Sequence, residues 1–155
     1  MNEYETVIMP ELILAGIECV TSNDPSQGPV DIPKLWERFF QEGIAEILEK
    51  NPHRASEEIM GLYYDYESDH NGSYTLLIGG PVVKTDDLPP MLRYKKIPRA
   101  QYAKFTAKGP HPQALIETWQ SIWGSGMKRS YAGDLEVYGK GFQKTPQEVE
   151  ILIAL

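Results

Sequence analysis

A chain of 155 residues, 41% hydrophobic and 24% charged, can bury one core of ordinary size and is too apolar for intrinsic disorder. Its formal charge of −7 argues against nucleic acid as a direct partner, because phosphate binding needs a basic patch. The lone cysteine, Cys19, excludes a disulfide framework. With no signal-peptide pattern and no apolar run of membrane length, it predicts a cytoplasmic protein without a membrane partner.

The first strand region spans about Tyr4 to Thr21 with an interruption at Pro10, and "ELILAGIECVT" is apolar and β-branched enough to be mostly buried. "SNDPSQGP" is a loop by its turn residues. Asp31 is a candidate N-cap, with Pro33 in the first helical turn. Ile32, Leu35, Trp36, Phe39, Phe40, Gly43, Ile44, Ile47 and Leu48 then recur at helical spacing until Lys50-Asn51-Pro52. "EEIMGLYYDYE" and "SYTLLIGGPVV" flank Asn71-Gly72 and predict a hairpin.

The order then repeats. "RYKKIPRAQYAKFTAKG" is a strand region interrupted at Pro98. "HPQALIETWQSIW" predicts a helix that ends at Gly124-Ser125-Gly126. "GDLEVYGKGF" and "EVEILIAL" complete a second strand pair. The pattern predicts an α+β fold: a duplicated β-α-β-β unit with pseudo-twofold symmetry, an antiparallel-rich sheet and two helices packed on one side. One domain over residues 1–155 is expected, with pseudo-repeats at about 1–88 and 89–155. A ligand site where the halves meet fits that architecture.

In "GDLEVYGKGF", Asp134, Glu136 and Tyr138 point to one side of the strand, Leu135 and Val137 to the other. The side bearing Glu136 is either a solvated face or the floor of a pocket. A carboxylate enclosed by aromatic rings would trap an organic cation through poorly screened charge and cation–π attraction. Trp36 on the first helix and Trp119 and Trp123 on the second are candidate pocket walls, or simply core. Among nine tyrosines, Tyr64, Tyr102 and Tyr138 are pocket candidates against plain packing. Alternation puts Tyr64 and Tyr66 on one strand face and Tyr63 on the other.

Other chemistries are weakly represented. His53, His70 and His111 lie far apart and read as surface residues, without metal-ligand spacing to Cys19. Catalytic triads, P-loops and dinucleotide fingerprints are missing, so no metal and no cofactor are expected.

Several segments, in order, resemble the GyrI-like small-molecule-binding superfamily: "IPKLWERF", "IMGLYYDYE" with "LLIGGPV", "IPRAQYAKFTAKG", "ETWQSIW" and "GDLEVYG". Ala100 stands where that family often has Gly. The resemblance implies the duplicated fold and a pocket carboxylate at Glu136. With a strand starting almost at Met1, it also implies a stand-alone relative of the effector-binding domains of multidrug-sensing regulators. The function it implies is binding of hydrophobic, cationic aromatic compounds, to sense or sequester them. An alternative is hydrolysis of cyclopropane-bearing DNA-alkylating natural products, with Glu136 as the catalytic group and a tyrosine polarising a carbonyl. A second alternative is a protein-interaction module like the superfamily's gyrase inhibitor.

Overall fold

The computed structural model describes residues 4–155. Its elements run β1 Glu5–Met9, β2 Leu12–Ser22, α1 Gly28–Gln41, α2 Ile44–Lys50, β3 Ile59–Tyr64, β4 Ser73–Val82, β5 Arg93–Ile97, β6 Ala100–Lys108, α3 Gln113–Gly124, β7 Asp134–Tyr138 and β8 Glu148–Ala154, with a 3₁₀ turn at Lys140–Gln143. All eight strands form one sheet in the order β1-β6-β8-β7-β3-β4-β2-β5, and every neighbouring pair is antiparallel.

That order is a palindrome of two units. The first unit, β2-α1/α2-β3-β4, and the second, β6-α3-β7-β8, meet at the β3–β7 ladder, so the pseudo-twofold passes between those strands. β1 closes the edge of the second unit, and β5 closes the edge of the first. β1 and β2 stand six places apart in the sheet, as do β5 and β6, yet each pair is joined by two residues, Pro10-Glu11 or Pro98-Arg99. A flat sheet would separate those strands by roughly 29 Å, so the sheet must curl until its ends approach.

The curl gives the sheet two apolar faces. On one, Leu14, Met60, Leu62, Tyr64, Leu77, Ile97, Tyr102, Leu135, Val137 and Leu152 form a core to which Val7, Met9 and Leu12 add their side chains. On the other, α1 and α2 pack Leu35, Phe39, Ile44 and Leu48 onto Ala15, Ile17, Tyr74 and Ile78. There α3 packs Leu115, Trp119 and Ile122 onto Ala103, Phe105, Val149 and Ile151. One row of cross-strand partners settles that the helices share a face. It runs Phe105–Ile151–Glu136–Gly61–Ile78–Ile17 from β6 to β2. Paired residues point the same way, and this row touches both helical clusters.

Two local readings are corrected. The first helical region is two helices, because Gly43 adopts a left-handed conformation (φ 70°) and turns the chain between α1 and α2. α1 also starts earlier than Asp31, with Gln27 at the N-cap. Asp31 instead accepts a hydrogen bond from Thr21 Oγ1 (2.9 Å), tying the first turns of α1 to the end of β2. No helix among the described residues is long and apolar enough to cross a membrane.

Candidate functional site

Two helices resting on the same sheet face leave a cleft above the pseudo-twofold. It is a cavity of about 560 Å³. α1 supplies Ile32, Pro33 and Trp36 to one wall, and α3 supplies Leu115, Ile116, Trp119 and Trp123 to the other. Tyr63, Tyr74, Glu136 and Tyr138 of β3, β4 and β7 form the floor. Asn23, Tyr66, His70, His111 and Arg129 close the ends from loops. The rings make a continuous lining: Trp36 meets Tyr138 at 5.1 Å between centroids, Tyr63 meets Trp119 at 5.4 Å and Tyr74 at 5.4 Å.

Glu136 lies at the centre of the floor and is 3% exposed. Its Oε2 accepts hydrogen bonds from the Tyr63 hydroxyl (2.8 Å) and Trp119 Nε1 (2.7 Å). Its Oε1 accepts one from the Tyr138 hydroxyl (2.8 Å). All three donors are neutral, and Glu136 pairs with no cation among the described residues. Burial therefore pushes its pKa above the ordinary glutamate value, and the three donors only partly offset that rise. The same burial, with the Glu136 charge beside them, drives the Tyr63 and Tyr138 hydroxyls well above the usual phenol range, so both remain donors.

The second carboxylate of β7 has the opposite environment. Asp134 is fully buried, and its Oδ2 accepts from Arg129 Nη2 (2.6 Å) and the Tyr66 hydroxyl (2.6 Å). Its Oδ1 accepts from the Ala154 amide (2.9 Å). Arg129 cancels its charge, which leaves Glu136 as the uncompensated charge of the cavity.

Glu136, Trp36, Trp119, Trp123 and Tyr138 are thus brought together. Tyr64 and Tyr102 are not, and their assignment to the cavity is corrected. Alternation along β3 places Tyr64 with Met60 and Leu62 in the opposite core, and Tyr102 joins it there. The Tyr64 hydroxyl donates to Glu18, and Lys95 Nζ lies 5.1 Å from its ring centroid. Tyr66, which alternation puts on the Tyr64 face, lines the cavity instead. Asp65 is left-handed (φ 52°), so the period of two ends at Tyr64 and the next tyrosine swings round. His70 and His111, read as surface residues, also line the cavity. His70 stacks on Trp123 (5.7 Å, 8° between planes), and burial lowers the pKa of His111. Arg129, Asp134, Tyr63 and Tyr74 carried no pocket reading from sequence. The alternation Asp134-Glu136-Tyr138 was the available signal for Asp134. Among the described residues, no group of three or more His, Cys, Asp or Glu side chains is arranged to hold a metal ion.

Comparison with known proteins places this geometry. YobU of Bacillus subtilis (strain 168), whose name assigns it provisionally to transcriptional regulation, is 30% identical over 125 residues, covering 79% of this chain and 76% of YobU. The integron cassette protein VCH_CASS2 from the mobile metagenome of Vibrio cholerae is 25% identical with a TM-score of 0.72, over 97% of this chain and 94% of that one. SAV2435, solved bound to tetraphenylphosphonium, has the same fold: TM-score 0.80 at 22% identity, over 98% of this chain and 93% of that one. Residues 2–155 match the GyrI-like small molecule binding domain, and the chain belongs to that family.

Proposed function

We propose that the cavity binds a flat or propeller-shaped apolar organic cation, with Glu136 as its counter-charge. The observation that carries this reading is a buried carboxylate held by three neutral donors and no cation. An isolated charge in so apolar a site costs stability, and a cationic ligand removes that cost when it binds. The surrounding indoles and phenols add cation–π attraction and apolar contact. Tetraphenylphosphonium, the ligand of the similarly folded SAV2435, has this chemistry: a delocalised positive charge inside an apolar shell. The biological consequence is sensing or sequestering such compounds. Glu136 is better suited to this electrostatic role than to a general base, because its three hydrogen bonds already occupy most of its lone pairs and leave little room for a substrate proton.

The test is Glu136→Gln, titrated with tetraphenylphosphonium and with neutral triphenylphosphine. The variant keeps size and most hydrogen bonding. Phosphonium affinity should fall about 10-fold or more, the worth of an unscreened charge contact, while the phosphine is held as before. Equal losses for both compounds, or none for either, would reject the counter-charge role.

A further inference from the structure

One end of the cavity carries donors that the protein itself does not use. Arg129, between α3 and β7, lines the cavity with a side chain 3% exposed. Its Nη2 donates to Asp134, and its guanidinium lies over Tyr131, 4.3 Å from the ring centroid. Arg129 Nε and Nη1 are buried and meet no acceptor among the described residues. His70 Nδ1, also on the cavity lining, is likewise buried without a hydrogen-bond partner among the described residues. Asp134 does not satisfy them: its oxygens accept from Tyr66, Ala154 and Arg129 Nη2. Donors left unpaired in a buried site are costly and mark a place for an acceptor.

We propose that this end of the cavity recognises a neutral oxygen acceptor on the ligand, the carbonyl of an ester, amide or ketone, through Arg129. This deepens the counter-charge reading and rests on it: the preferred ligand is an aromatic cation that carries such a carbonyl. The charges favour a neutral acceptor over a carboxylate. Arg129 and Asp134 already cancel, and Glu136 is balanced by the ligand's cation. A ligand carboxylate would leave one negative charge uncompensated in a buried site.

Three dyes with the same xanthylium cation test this: tetramethylrosamine, which lacks a carbonyl, tetramethylrhodamine methyl ester, and tetramethylrhodamine with a free carboxylate. In fluorescence titrations of the wild-type chain, the ester should bind about 10-fold tighter than the rosamine, the scale of one hydrogen bond to a charged donor. The carboxylate should bind no tighter than the ester. Arg129→Lys keeps a cation opposite Asp134 but removes the planar donors, and should bring ester and rosamine affinities within about 2-fold. The double variant Arg129→Gln/Asp134→Asn, which removes both charges together, should do the same, with circular dichroism checking the fold of each. Equal wild-type affinities for ester and rosamine overturn the proposal, as does an ester advantage that survives both Arg129 variants. A carboxylate that binds tightest overturns the choice of a neutral acceptor. If the rosamine binds in a Glu136-dependent way without any ester advantage, only this proposal falls. If none of the dyes binds, the counter-charge reading falls and takes this one with it.

Discussion

Gly61 and Glu136 are paired residues of the β3–β7 ladder, and they occupy equivalent places in the two halves of the molecule. Each is followed two residues later by a tyrosine, Tyr63 or Tyr138, and these two hydroxyls hold the two oxygens of the same carboxylate. The duplicated fold therefore puts one acid on its axis, flanked by matching donors. A glycine takes the place where a second side chain would stand.

Filling that place beyond a methyl group should displace the acid. A Cβ on Gly61 would lie 3.4 Å from Glu136 Oε1 and 3.6 Å from Leu76 Cδ1, ordinary contact distances. Gly61→Ala should fold normally and keep phosphonium affinity within about 2-fold of wild type. Gly61→Val should cost about 1–3 kcal/mol of stability by overpacking and abolish most of the binding. Thermal melts alongside dye titration separate the two effects. Wild-type affinity in Gly61→Val would mean that the carboxylate is not confined by this contact.

The symmetric tyrosines should act as a pair. Tyr63→Phe and Tyr138→Phe each remove one neutral donor from a buried charge, at about 1.5–3 kcal/mol apiece. Both should raise the Glu136 pKa further, because the donors are what offset desolvation. A ¹³C-detected titration of the Glu136 carboxyl reads this directly. An unmoved or lowered pKa in either variant would contradict the assigned hydrogen bonds.

Much of this arrangement was legible in the chain, and the limits have identifiable causes. The β-α-β-β repeat follows from helical spacing around Trp36 and Trp119 between strand pairs. Glu136 and Tyr138 follow from strict alternation in a short strand. Alternation says which residues share a face but not which face carries the cavity, and here the curled sheet buries both. Tyr64 and Tyr102 fit either side, and the apolar core took them. Tyr66 was misplaced because one left-handed residue, Asp65, breaks the period. Arg129 and His70 sit in loops, where no periodicity applies.

The two faces give a sharp contrast. Tyr64→Phe and Tyr102→Phe, on the far side of the sheet, should leave affinity for an aromatic cation within about 2-fold of wild type, because neither ring reaches the cavity. Tyr66→Phe removes a donor from Asp134 and should weaken binding measurably. Titration of the three variants in parallel checks this. A larger loss in Tyr64→Phe than in Tyr66→Phe would mean that the wrong face has been assigned.

The pH dependence follows from the buried acid. Glu136 has its pKa raised above the ordinary value of 4.5 by desolvation. Cation binding should therefore fade, as pH is lowered, at a higher pH than a surface glutamate would require. The other titratable groups at the cavity do not reverse this. Burial lowers the pKa of His111, and once charged it repels a cation as well, so it acts in the same direction. Arg129 is paired with Asp134. The stability of the unliganded protein moves the other way. A raised folded-state pKa means that folding favours the protonated acid, so this contribution is fully present below the unfolded value and is lost as pH rises through the folded one. Relative to Glu136→Gln, the wild type should thus lose stability as pH rises above about 4.5. The variant should be the more stable of the two at pH 7, with the higher Tm. Denaturation of both proteins across that range, with phosphonium titrated at each pH, gives the two curves. A variant that is less stable at every pH would mean that Glu136 is kept for the fold, whereas a stabilised variant that no longer holds the cation identifies a charge retained for its ligand.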